Sequence, residues 1–127
     1  MLKVLIADAL YVFRTGIKEV LFEEFTFVYF NEASDGHSLL EKIKAEKWDI
    51  IIVDSEIYDA NKEIINQILN LKPKWRILIL DNDSPDALYS TEFIDNGSSF
   101  IVNKKITTEG LIKAVQITLT GHLSGTY

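Results

Sequence analysis

The chain of 127 residues has no cysteine, which removes disulfides, zinc–thiolate centres and thiol chemistry at once. Its 2 prolines and 6 glycines form neither a low-complexity tract nor a phosphate-cradling glycine motif. No apolar run approaches the ~20 residues that a membrane helix needs, and an acid at Asp8 comes too early for a signal-peptide core. Basic residues are the minority, 13 against 19 acids, giving a net charge of −6 and a pI near 4.8. A surface that grips a phosphate backbone is basic, so this chain itself is not expected to hold nucleic acid. Histidine occurs twice, at His37 and His122, without an acid or hydroxyl at catalytic spacing, so both read as surface residues. What is present is 47% hydrophobic and 25% charged with the signs interspersed, enough for one core in one soluble, cytoplasmic domain.

Apolar runs alternate with helical patterns. Strands are expected at Leu2–Ala7, Phe25–Phe30, Ile50–Asp54, Arg76–Leu80 and Phe100–Val102. Helices are expected at Tyr11–Glu24, Ser38–Lys47, Asn61–Leu71, Asp86–Asn96 and Thr107–Thr120. Asn31–Gly36 reads as a turn, Asp59 as an N-cap, and Gly97 and Gly121 as helix terminators, with Pro73 just beyond the third helix. Five βα units imply a parallel sheet covered by helices on both faces, with right-handed crossovers. The domain is expected to run over residues 1–121, with 122–127 a tail or the start of a linker.

The stretch Ile50-Ile-Ile-Val-Asp54 reads as a strand buried on both faces that ends on a carboxylate. In open α/β sheets, ligands bind beyond the carboxyl ends of the strands. The residues expected there are Asp8, Asp54, Asp81, Asn103 and Lys104. Three converging carboxylates repel one another unless a cation or Lys104 offsets them. That points to a functional cluster rather than to capping alone.

In order and spacing, Val4-Leu-Ile-Ala-Asp8 with Phe13-Arg-Thr-Gly16, Glu32-Ala-Ser-Asp-Gly36, Trp48-Asp-Ile-Ile-Ile-Val-Asp54, Arg76-Ile-Leu-Ile-Leu80 and Asp95-Asn-Gly97 resemble a response-regulator receiver domain of the CheY-like superfamily. They resemble in particular the receivers of LuxR-type transcriptional regulators. The resemblance implies a flavodoxin-like (βα)5 doubly wound sheet, strand order 2-1-3-4-5. It implies two-component signalling, with Asp54 as phosphoacceptor and a sensor histidine kinase or small phosphodonor as the source. It implies Lys104 paired with the acceptor, and a magnesium ion held through Asp8, Asp54 and the backbone carbonyl of Glu56. DNA would be reached only through an output domain outside this chain, membranes not at all, and enzymatic activity would be limited to self-phosphorylation at Asp54.

Two positions depart from the family pattern. Receivers usually carry adjacent acids after strand one; here Asp8 is followed by Ala9, so magnesium would bind weakly. Asp81 stands where a Thr or Ser usually binds the phosphoryl group, and a carboxylate repels that group. Ser84, three residues on, is not expected to substitute. Phe100 also falls one place before the usual aromatic, leaving either Ile101 there or a bulge. The departures leave two readings: an atypical receiver with impaired metal and relay positions, or a phosphorylation-independent pseudo-receiver in which Asp81 pairs with Lys104. Weak dimerisation is expected through the first and last helices, the last carrying Ile117 and Leu119, or through the face of the fourth and fifth units. A flavin or nucleotide binder of the same fold would need a glycine- or hydroxyl-rich loop after strand one, where Ala7-Asp-Ala-Leu-Tyr11 stands instead. Trp48 and Trp75 read as covers of the core edge, and Lys42, Lys44, Lys72 and Lys74 as solvated surface.

Overall fold

The computed structural model describes residues 1–72, 75–83, 89–90 and 99–120, with 89–90 described by their backbone. The elements in order are β1 Leu2–Ala7, α1 Tyr11–Glu24, β2 Val28–Ala33, α2 Gly36–Ala45, β3 Ile50–Asp54 and α3 Ser55–Asn70. They are followed by β4 Arg76–Asp81, β5 Tyr89–Ser90, β6 Ser99–Asn103 and α4 Thr108–Thr120. The sheet order is β2-β1-β3-β4-β6-β5. Every pairing from β2 to β6 is parallel, so the five parallel strands taken in chain order realise 2-1-3-4-5. β5 adds an antiparallel edge beside β6.

Side chains alternate across each strand, and both faces are covered. Leu5, Ile51, Val53, Ile77 and Ile79 point to one side, where Leu39 and Ile43 of α2 and Tyr58, Ile65 and Leu69 of α3 close the core. Val4, Ile6, Ile50, Ile52, Leu78 and Leu80 point to the other, against Ile17 and Leu21 of α1 and Leu111, Ala114 and Val115 of α4. All five residues of β3 are buried, as a central strand requires. Trp48 and Trp75 are buried where β3 and β4 begin.

Several boundaries move. β2 begins at Val28 rather than Phe25, because its register is set by β1: Leu2 pairs with Val28 and Ala7 with Ala33. Phe27, just before it, has φ 55, which a continuing strand cannot contain. Asn31–Ala33 therefore lie in the ladder, not in a turn. α2 starts at Gly36, capped by Asp35, whose side chain accepts the Ser38 N–H at 2.8 Å. A Cβ at Gly36 would lie 2.3 Å from Asn61 Nδ2, so a larger residue there would displace the Asn61 amide from its bond to the Ile57 carbonyl. α3 starts six residues earlier than expected, capped by Asp54 and not by Asp59, which lies inside the helix. β4 and β6 each extend to include Asp81 and Asn103. Of the helix expected at Asp86–Asn96, the described residues Tyr89 and Ser90 are strand; the rest, with Pro73, Ser84, Gly97, Gly121 and the tail to Tyr127, lie outside the described residues. The β4–β6 register is regular through Leu78↔Phe100 and Ile79↔Ile101. Without a bulge, Phe100 goes into the α1/α4 core and Ile101 packs against the core on the α2/α3 side.

Candidate functional site

Asp8 sits one residue past β1, Asp54 ends β3, Asp81 ends β4, and Lys104 follows β6. The parallel register brings all four ends to one edge of the sheet, and the Lys104 N–H donates to the Asp81 carbonyl at 2.9 Å, tying two of them directly. Lys104 Nζ lies 2.6 Å from Asp8 Oδ2 and 2.7 Å from Asp54 Oδ1. These three side chains are about nine-tenths buried, at 9%, 4% and 10% exposure. Phe13 of α1 covers the ammonium, its ring centroid 4.5 Å from Nζ. Burial, the largest influence, pulls the Lys104 pKa down, but Asp54 and Asp8 outweigh it and hold the ammonium above its usual range.

The remaining carboxylate oxygens are also engaged. Asp54 Oδ2 accepts the Glu56 N–H at 3.1 Å, the N-cap bond of α3. Asp8 Oδ1 accepts the Leu10 N–H at 2.8 Å, turning the chain into α1. Arg14 braces the same turn, donating to the Asp8 carbonyl at 2.6 Å and to Glu32 Oε1 at 3.0 Å. Lys18 donates to Glu32 Oε2 at 2.8 Å, and this bond, reinforced by Arg14 against a smaller effect of burial, holds the Glu32 carboxyl below its usual range.

Asp81 takes a different partner from the one expected of it. Ser55 Oγ donates to Asp81 Oδ1 at 3.1 Å, whereas the Lys104 ammonium goes to Asp8 and Asp54. Ser55 and Phe13 were not legible as site residues. A hydroxyl directly after the strand-ending acid was the available signal for Ser55, while Phe13 was indistinguishable from the apolar stripe of its helix.

A divalent ion would have to compete with the Lys104 ammonium for Asp8 and Asp54. Asp8 and Asp54 each spend one oxygen on Lys104 and the other on a backbone N–H. Glu56 lies inside α3, where helix geometry directs its carbonyl towards the residue four places on rather than into the site. Among the described residues no group of three acids or histidines could hold a metal ion. Among them, too, no helix is long and apolar enough to cross a membrane.

Residues 4–116 match the family model of the response regulator receiver domain. The transcriptional regulatory protein DegU of Brevibacillus brevis is 26% identical over 121 residues, 94% of this chain and 51% of DegU. The chain thus spans about half the length of that curated relative. RcsB of Salmonella enterica serovar Typhimurium, solved on promoter rprA with phosphomimetic beryllofluoride, superposes with TM-score 0.73 at 22% identity, covering 96% of this chain and 63% of RcsB. A response regulator of Burkholderia pseudomallei, solved with a phosphorylated aspartic acid, calcium and citrate, superposes with TM-score 0.70 at 22% identity, covering 94% of this chain and 69% of its own.

Proposed function

The chain belongs to the response-regulator receiver family, and from that premise we propose that it is an atypical receiver whose phosphoacceptor is Asp54 and whose assisting positions are impaired. Receivers are signalling modules of two-component systems rather than enzymes in the usual sense. The reaction is phosphoryl transfer: an Asp54 oxygen bonds to phosphorus as the donor's P–N bond (a kinase phosphohistidine) or P–O bond (a small acyl phosphate) breaks, the leaving atom keeping the electron pair. Lys104 holds Asp54 Oδ1 in place and faces the charge that arrives. The observation carrying the reading is the closed Asp8–Lys104–Asp54 triad, in which one ammonium already serves two carboxylates. An incoming phosphoryl group must share that single cation, with Ala9 adding no acid for a metal and Asp81 adding repulsion. Transfer to Asp54 should therefore be slow. The output proposed is regulation of transcription through a DNA-binding domain, which the relation to DegU, twice as long as the match, supports.

The second reading, a phosphorylation-independent module, is without the Asp81–Lys104 pair expected of it but is supported by the Ser55–Asp81 bond that takes its place. A carboxylate fixed beside Asp54 supplies negative charge permanently, as a phosphorylation-independent interaction module would.

Intact-mass measurement after incubation with acetyl phosphate and magnesium tests both. The expected result is slow, incomplete labelling that Asp54→Asn abolishes; none at all selects the second reading. Rapid stoichiometric labelling of the unmodified chain would sink both. Ala9→Asp with Asp81→Thr should restore magnesium binding and labelling more than additively, since both positions border Asp54. Magnesium is best followed by calorimetry, because Trp48 and Trp75 lie at the opposite edge of the sheet.

A further inference from the structure

At that opposite edge, where the strands begin and α2 and α3 end, a cavity of about 800 Å³ opens between the two helix ends. Its floor is apolar: Ile43 and Trp75 are buried in the core, Ile68 is half-buried, and Leu71 is 80% exposed at the mouth. Its rim is basic. Lys44, Lys47 and Lys72 line it together with Lys3. Lys3 is matched by Glu46 at 3.0 Å, but the other three have no carboxylate within ion-pair distance among the described residues. Lys72 instead lies over the Trp75 ring, 5.8 Å from its centroid. In the sequence these lysines look like solvated surface; the fold gathers them around one apolar hollow.

Helix dipoles explain only part of this. Lys44 is in the last turn of α2, where a cation is favourable, but Lys47 and Lys72 lie past the helices. Nor does the dipole explain an 80% exposed leucine beside an apolar floor. Three unmatched positive charges in a chain of net charge −6 make a local anion-attracting field that the rest of the molecule opposes. An extended polyanion would meet that opposition along its length, whereas a compact anion would not. The volume falls within the roughly 300–1,000 Å³ of small-molecule sites.

We propose that this cavity binds a small amphipathic anion, its apolar body against Ile43, Ile68, Leu71 and Trp75 and its acidic head among Lys44, Lys47 and Lys72. The site is separate from Asp54 and stands whether or not Asp54 is phosphorylated.

The test is a titration of the whole chain with decanoate below its micelle concentration, followed by the Trp75 indole and the Ile43 and Ile68 methyl signals in NMR. Saturable shifts confined to these groups are expected, weakened about tenfold by added salt that screens the lysines. Decanol and decyltrimethylammonium should bind at least about tenfold more weakly at the same chain length. Leu71→Asp and the Lys44→Glu/Lys47→Glu pair alter exposed side chains and should abolish saturation while leaving the circular dichroism spectrum unchanged. Should either variant fail to fold, the salt and headgroup series on the unmodified chain still decides. Equal binding of decanol or of the cationic analogue would overturn the proposal, leaving a merely apolar patch. Absence of saturation would overturn it too, as would co-sedimentation with anionic phosphatidylglycerol vesicles without decanoate binding, which would assign the surface to a membrane.

Discussion

Lys104 is one cation serving two buried carboxylates, and that ratio makes it the most consequential side chain of the domain. Removing it leaves Asp8 and Asp54 facing each other with only backbone N–H donors. Breaking a buried pair by deleting one partner costs about 3 kcal/mol or more, so Lys104→Met should lower the unfolding free energy by about that amount at neutral pH. The pH dependence has a definite sign. The folded-state pKa of Lys104 is raised, so its contribution is complete below the unfolded value near 10.4 and disappears as pH climbs through the folded one. Urea unfolding of wild type and variant should therefore converge on the alkaline side. A difference that stays constant from neutral to strongly alkaline pH would show that Lys104 matters through packing on Phe13 rather than through charge. The four strand-end residues were legible because a carboxylate or lysine closing an apolar run is conspicuous. The Lys104–Asp54 pair followed from the family resemblance, but the sharing of that ammonium with Asp8 and the Ser55 partner of Asp81 did not, because they depend on distances that a sequence does not carry.

Among the elements, α3 is the one whose start bears on the chemistry. Asp54 closes β3 and caps α3 with the same side chain, one oxygen going to Lys104 and the other to the Glu56 N–H. Replacing Asp54 by asparagine or by alanine therefore differs in kind. Asparagine keeps a capping oxygen and alanine does not, a difference of about 1 kcal/mol. Asp54→Ala should be less stable than Asp54→Asn by that margin in thermal or urea unfolding, whatever either does to labelling. Equal stability of the two would mean that the cap contributes nothing. From sequence this helix is expected only from Asn61, because Ser55-Glu-Ile-Tyr-Asp-Ala60 is locally polar. Tyr58 is nevertheless fully buried, its hydroxyl satisfied by Asn66 Oδ1 at 2.9 Å, and it shares the helix's buried stripe with Ile65 and Leu69. An aromatic with a polar end reads as surface until the partner four to eight residues away is known. β2 failed in the opposite direction: the aromatic run from Phe25 drew the strand forward, whereas pairing with β1 pulled Asn31 and Glu32 into the sheet, with Arg14 and Lys18 meeting the Glu32 charge.

At the scale of the whole molecule, the alternation of apolar runs with helical patterns made a parallel sheet covered on both faces legible, and the family resemblance supplied its strand order. How copies of the chain meet is set by a balance that patterns do not display. The α1/α4 side leaves Val12 exposed and Ile117 and Leu119 only half-buried against the core. A groove of about 280 Å³ runs between Val12, Phe13 and Val20 of α1 and Thr108 and Leu111 of α4. We expect a weak symmetric dimer on this face, the first-and-last-helix option of the sequence reading. Apolar contact drives association while two copies of net charge −6 repel each other. The repulsion acts over a Debye length of about 10 Å at 0.1 M salt and shortens as salt rises, whereas the apolar term does not weaken. Sedimentation equilibrium should therefore find monomer at low ionic strength and a growing dimer fraction as protein and salt are raised together. Val12→Glu places a further charge on that face without touching the buried core and should suppress the dimer while leaving unfolding unchanged. A monomer at every concentration and salt level would remove this face as an interface. Association that salt weakens would point instead to pairing between opposite charges, such as the acidic carboxyl edge of one copy with the lysine-rimmed cavity of another.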